Sequence, residues 1–270
     1  VSQAVSTLPE YELFAIRYAT RDARRANHFI GGDPHDGPMP MDYYVWVIAG
    51  HGRTVVVDCG FNADVAKKRG RTFLRPPADG LAAAGVNLAQ VDDVVLTHLH
   101  YDHVGNLGLF PKAHFHVQEP EVAYATGPYM RFPKLSHSFE VEDVCDVIRL
   151  NYAQRVHWHD GDAELAPGIT LHLAGGHSAG LQCVRVHTRR GWVVLASDVT
   201  HFYENIESSR PFSTAFNVGD MLAGFELLYR LGGDLAHIVP GHDPLVMHRY
   251  PPLRPELAGV VARLDVPPSA

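Results

Sequence analysis

In "VVLTHLHYDHVGNLGLF" (residues 94–110) an apolar run leads straight into His98, His100, Asp102 and His103, four groups able to bind a metal. No other feature constrains the fold as much. Zinc normally takes three or four ligands from well-separated parts of a chain. A cluster this dense therefore needs a strand end at which other strand ends can arrive. In extended chain, i and i+2 point the same way, so His98 and His100 can grip one ion. Asp102 and His103 follow as the chain turns toward Gly105, and can face a second ion. Ions paired roughly 3.5–4 Å apart are an established hydrolytic device.

Three later segments offer the remaining ligands. "LAGGH" ends in His177, "LASD" in Asp198 and "IVPGH" in His242, each where an apolar run stops or a glycine turn follows. A carboxylate such as Asp198 can bridge two cations through separate oxygens. Imidazoles mixed with carboxylates suit Zn2+, with iron, manganese or cobalt as alternatives. The expectation is a site holding two divalent metal ions.

The surrounding pattern fits such a rim. Strands are predicted at 11–19, on both sides of a hairpin signal at Gly50–Gly52, and at 92–98, 113–118, 169–176, 182–188, 192–198 and 236–242. Helices are predicted over 77–85 and 218–233. Hairpins mixed with strand–helix units predict an α/β chain whose mixed sheet is covered by helices. Residues 31–42, opening with "GGDPHDGPMP", read as a long loop, and with no linker or repeat, 1–270 reads as one domain.

Other features narrow the function by exclusion. A net charge of −7 argues against a nucleic-acid partner, and the basic "KKRGR" at 67–71 reads as a solvated helix end. Cys59, Cys145 and Cys183 lack metal-type or redox-type spacing and read as buried thiols in a reducing compartment. The N-terminal stretch shows no leader signature, and no apolar run has the length of a membrane span. The expectation is a soluble, cytoplasmic protein without a membrane partner. Of the 18 histidines, those in "HWHD" (157–160) lack a preceding buried strand and a following glycine turn and read as surface, while His114 and His116 in "AHFHV" alternate on one strand face and read as packed or surface residues.

The ordered set HxHxDH, GGH, SD and PGH resembles the metallo-β-lactamase superfamily, from about Tyr43 to His242. The resemblance implies a four-layer αββα sandwich of two mixed sheets flanked by helices. It implies His98, His100 and His177 around one metal, Asp102, His103 and His242 around the other, and Asp198 between them. Asp58, closing "TVVVD", matches the aspartate that orients a ligand from behind. "SDVTHFYENIESSRPF", "NVGDM" and "IVPGHDPLVMHRYP" look like the N-acyl homoserine lactonase branch, the quorum-quenching enzymes, with their relative that opens pyridoxolactone. Those lactonases place a tyrosine three positions after the bridging aspartate to donate to the substrate carbonyl. Here that position is His201, and a phenol follows at Tyr203.

The implied activity is opening of a lactone or other small-molecule carboxylic ester by a hydroxide shared between two ions, with His201 or Tyr203 as donor and Asp102 as proton carrier. A pyridoxolactonase-like enzyme, thioesterase, amidase or phosphoesterase is the alternative. Few arginines are expected near the site, which suits a neutral substrate. Met39, Met41, Tyr43, Tyr44, Phe61, Phe73 and Phe202 are candidates to wall an acyl pocket. Homologous lactonases are often dimers, so the resemblance also implies a homodimer.

Overall fold

A computed structural model describes residues 8–269, so the part of the leader reading that concerns residues 1–7 lies outside it. Its strands are β1 (Glu12–Arg21), β2 (Met41–Gly50), β3 (Arg53–Val57), β4 (Thr72–Phe73), β5 (Asp93–Val95), β6 (His114–Gln118), β7 (Val156–His159), β8 (Ala163–Ala166), β9 (Ile169–Leu173), β10 (Gln182–Thr188), β11 (Gly191–Ser197), β12 (Ile238–Pro240) and β13 (Val261–Arg263). One sheet runs β13-β1-β2-β3-β5-β6-β7, with β4 paired to the end of β1; the other runs β12-β11-β10-β9-β8. Both are mixed. The first is antiparallel from β13 to β3 and parallel from β3 to β7; in the second only β11 and β12 are parallel.

Period-two alternation explains the layering. From β2, Tyr44, Trp46 and Ile48 enter a core shared with Leu171, Val184, Val186 and Leu195 of the other sheet. Their neighbours Tyr43, Val45 and Val47 point the opposite way, into a core with Leu81, Val104, Val122 and Val147. On the far side of the second sheet, Val194 and Ala196 meet Phe225, Leu228 and Leu231 of the helix Val218–Gly232. The helices Pro77–Ala83, Glu119–Ala125 and Val141–Tyr152 contribute to the outer layer on the first sheet. This is the αββα sandwich the resemblance implies.

The hairpin at β2–β3 turns through His51 (φ 51°) and Gly52 (φ 73°), the paired left-handed conformation of a type I′ turn. Several elements carry weaker signals than those predicted. The edge strand β7 is largely exposed, and Val141–Tyr152 buries only Val144 and Val147. No helix among the described residues is long and apolar enough to cross a membrane.

Candidate metal centre

Topology brings the ligand-bearing turns together. β3 and β5 are parallel with Val57 beside Val95, so Asp58 and the run from Thr97 leave adjacent strand ends. β11 and β12 are parallel with Ser197 beside Pro240, which places Asp198 and His242 together. β9 is two antiparallel steps from β11, so its end, leading to His177, faces the same rim. The two sheets are stitched there: Thr97 Oγ1 lies 2.9 Å from Ser197 Oγ, and Gln182 N donates to Thr97 O at 2.9 Å. Asp58 (φ 62°) and Ser197 (φ 46°) take the left-handed conformation, which costs side-chain-bearing residues energy and clusters at functional sites.

The turn after β9 depends on close backbone approach. Gly176 (φ 86°) sits against the Met221 backbone, where a Cβ would collide. Gly180 sits as tightly against the Glu121 backbone. Glu121 is fully buried and accepts from Leu99 N and Gly180 N, both at 2.9 Å. It thus ties the turn holding His98 and His100 to the turn holding His177. The sequence offered no signal for it, since a glutamate in the first turn of a helix ordinarily faces solvent.

Asp198 is the hub. Its Oδ2 lies 3.0 Å from His177 Nε2, 3.0 Å from His201 Nε2 and 3.8 Å from His98 Nε2. Its Oδ1 lies 3.0 Å from His242 Nε2 and 3.4 Å from His103 Nε2. Asp102 Oδ2 stands 3.7 Å from His242 Nε2 and 3.8 Å from His103 Nε2. His100 Nδ1 is 3.0 Å from His177 Nε2. All of these side chains are buried.

Do these residues fit a metal? The far nitrogens answer. His242 Nδ1 faces the Asp42 carbonyl at 2.8 Å, and His177 Nδ1 faces the Thr214 carbonyl at 2.8 Å. Each nitrogen must carry the proton to bond a carbonyl, which leaves Nε2 of the neutral ring as a bare lone pair. Those lone pairs point at carboxylate oxygens, an arrangement that repels unless positive charge lies between. Nε2 of His98, His103 and His242 and Oδ1 of Asp198 are buried without a hydrogen-bond partner. Orphaned acceptors converging at this density fit cations. Four sets have ligand atoms within 4.8 Å of one another: His98–His100–His177, His98–His103–Asp198, Asp102–His103–His242 and His177–Asp198–His201.

Asp58 lies where the motif implies. Its Oδ2 is 2.7 Å from His103 Nδ1 and accepts from Thr97 Oγ1 at 2.8 Å, while Oδ1 accepts from Thr97 N at 2.8 Å. Burial pulls the His103 imidazole down, but Asp58, Asp198 and Asp102 outweigh it and hold the ring well above its usual range, so these carboxylates draw positive charge to Nε2, a proton or the cation that would replace it. His98 goes the other way, pushed well below by burial and by neighbouring His103 and His100.

The two proposed donors part here. His201 lies in the cluster, its ring stacked 3.5 Å from that of Phe212 at 5°. Tyr203 does not reach it. Its ring is buried in the core between the sheets, under the Arg249 guanidinium at 4.1 Å, and its backbone N–H is tied to Asp243 at 3.0 Å. The reason is local: a helix begins at Tyr203 (Tyr203–Glu207), turning the phenol away from the rim that His201 still faces.

Other expectations change as well. Met41 and Tyr43 line the cleft over the cluster, whereas Phe61 is core, Tyr44 faces the second sheet, Phe202 packs on His28, and Met39 lines a separate groove. Cys59 and Cys183 are buried and Cys145 half-buried, all free thiols apart from the ligand sets. The expectation of few nearby arginines fails: Arg21, Arg69 and Arg71 all line the cleft. In "KKRGR" Lys67, Lys68 and Gly70 are exposed, with Lys68 paired to Glu140 at 2.6 Å; Gly70 (φ 62°) ends the helix and the chain folds Arg71 back inward.

Comparison with known proteins agrees with this architecture. Residues 39–249 match the model of the metallo-beta-lactamase superfamily. The chain is 32% identical over 121 residues to the N-acyl homoserine lactonase AiiA of Bacillus thuringiensis subsp. kurstaki, covering 44% of this chain and 43% of that protein. It is 32% identical over 178 residues to the N-acyl homoserine lactonase AttM of Azorhizobium caulinodans, covering 60% and 62%. The matched region thus spans less than half the length of the first relative and under two thirds of the second. Among solved structures, a quorum-quenching N-acyl homoserine lactone lactonase superposes with a TM-score of 0.74 at 20% identity over 88% of this chain and 94% of that one. A probable metal-dependent hydrolase from Staphylococcus aureus superposes with a TM-score of 0.75 at 14% identity over 98% and 97%. The buried histidine–aspartate rim and the family match over most of its length lead to one conclusion: this chain belongs to the metallo-beta-lactamase superfamily.

Proposed function

We propose that the chain is a dinuclear metal-dependent hydrolase that opens lactone rings. The observation that carries this reading is Asp198, whose Oδ2 faces His177 and His98 and whose Oδ1 faces His242 and His103, two different groups of ligand nitrogens. His98, His100 and His177 would hold one cation, Asp102, His103 and His242 the other, with Asp198 shared. Such a pair, when bound, activates water as nucleophile near neutral pH and polarises the scissile carbonyl. Zinc suits this ligand set, and a protein similar over part of its length carries lactonase activity in its name.

The chain's own residues perform the rest. Carbonyls of Asp42 and Thr214 and the carboxylate of Asp58 fix the tautomers and orientations of His242, His177 and His103. His201, clamped by Phe212, stands beside Asp198 as the donor toward the substrate oxygen. Asp102 lies at the cleft wall, where it can pass a proton to the departing alkoxide.

Metal analysis of active protein, paired with a pH-stat panel of lactones, thioesters and phosphodiesters, tests the reading. Two ions per chain and preferential lactone turnover are expected. One ion or none in fully active protein, or intact lactones beside hydrolysed thioesters, would sink it.

A further inference from the structure

The cleft holds more positive charge than a neutral ester requires. Arg69 is accounted for: its guanidinium pairs with Glu140 at 2.8 Å and lies over the Tyr101 ring at 3.9 Å. Arg71 donates from Nε to Tyr101 Oη at 3.0 Å and from Nη1 to the Arg69 carbonyl at 2.6 Å, two of its five N–H groups. Arg21 ends β1 at the same wall. Among the described residues neither Arg21 nor Arg71 has a carboxylate within salt-bridge distance, although both are half-buried. The carboxylates of the cleft, Asp102 and Asp198, face imidazoles instead. Divalent cations held there would add to the excess.

An unpaired, partly desolvated guanidinium costs free energy unless an anion arrives, and its planar fork matches carboxylate and phosphate. Tyr101 joins the two features. It sits in sequence between His100 and Asp102, and its phenol is the acceptor that aims Arg71. Apolar surface is scarce by contrast: Met41, Phe212 and the rings of Tyr43 and Tyr101 supply it, leaving little wall for a long acyl chain.

We infer that Arg21 and Arg71 form a subsite for an anionic group, carboxylate or phosphate, that the substrate carries away from its reacting ester. The preferred substrate is then a negatively charged lactone. This rests on the hydrolase reading above and adds its substrate class.

Matched lactone pairs test it with zinc-loaded enzyme. One pair is γ-butyrolactone bearing a γ-carboxylate against the corresponding carboxamide; the other is a γ-hydroxymethyl-butyrolactone phosphate against the free alcohol. In at least one pair kcat/KM should favour the charged member by about tenfold or more, the preference weakening as salt rises. The pair showing it identifies carboxylate or phosphate as the group read. Arg71→Gln and Arg21→Gln should each lower the charged-to-neutral ratio severalfold, through KM more than kcat, while Arg71→Lys retains part of it. If the neutral members are opened as fast as the charged ones, the subsite is wrong and lactone hydrolysis still stands. If no lactone is opened while bis(p-nitrophenyl) phosphate is cleaved, the lactone reading falls and takes this inference with it.

Discussion

Two histidine-rich regions of this molecule look alike in sequence and differ in whether their ligand atoms converge. At the rim, His98, His103, His177, His201 and His242 are buried, and three of their Nε2 atoms lack any partner. At the sheet edge, His116 of β6 is paired in register with His157 of β7, with the rings of His114 and His159 close beside them. There His116 is satisfied on both sides: its Nδ1 lies 3.0 Å from His159 Nε2 and its Nε2 lies 3.2 Å from Asp93, while His114 Nδ1 is buried without a partner but belongs to no converging group of ligand atoms. Rings of His116 and His157 stack at 5.0 Å, with His157 exposed. In this ladder the central imidazole, His116, uses both nitrogens sideways. Strand-end imidazoles, pinned from behind by carbonyls and a carboxylate, aim theirs at one another. Histidine density does not make a metal centre; convergent, unpaired lone pairs do.

The largest test of that contrast pairs Asp198→Ala with His116→Ala. The first removes both hub oxygens and should lower turnover by on the order of a thousandfold or more, with loss of bound metal. The second should leave metal content and kcat/KM within about twofold. Metal analysis beside steady-state kinetics reads both; loss of metal in His116→Ala would erase the distinction between the regions.

Asp58→Asn sharpens it further. Asparagine tolerates the left-handed φ of this position but gives up the charge behind His103 and Thr97. Metal affinity or activity should fall about 10–100-fold. An unchanged metal-binding isotherm would mean that pinning from behind is not what separates the rim from the edge.

Glu121→Gln addresses the tie between the two ligand turns. Glutamine keeps one acceptor oxygen and turns an NH2 toward a buried N–H, a loss of about 1–3 kcal/mol. Denaturant unfolding should show it, and if stability and metal affinity both persist the tie is unimportant.

The smallest effect concerns His28, which stacks on Phe212 behind His201. Burial outweighs its bond to the Met39 carbonyl and lowers the imidazole from 6.5 to about 4. The folded state therefore resists a proton that the unfolded chain accepts. Stability from this residue is complete above pH 6.5 and is lost as pH falls toward 4. In wild type the unfolding midpoint should drop more steeply across that window than in His28→Gln. Equal slopes would remove His28 from the account.

How far could this have been read without a structure? Strands with clear alternation were legible, as were the hairpin turn and both helices predicted at 77–85 and 218–233. β7 was not, because an exposed edge strand lacks the buried side that makes alternation visible. Within the centre, the motif residues announce themselves by type and context. Glu121, Arg21 and Arg71 do not, since a glutamate or arginine in sequence carries no sign of which way its side chain will turn.

By itself, the sequence determined the chemistry: imidazoles and carboxylates at the ends of apolar runs, in an order that pointed to one superfamily and to cations. Tertiary structure alone decided the partners. It turned Tyr203 into the core and left His201 at the rim, brought Glu121 between two turns distant in the chain, and folded over the cleft two arginines that find no carboxylate partner among the described residues. Local pattern encodes what a residue can do, through its side-chain chemistry and strand or helix period. What it does depends on which groups, far away in sequence, share its solvent-excluded space, and that is settled only when the sheets close.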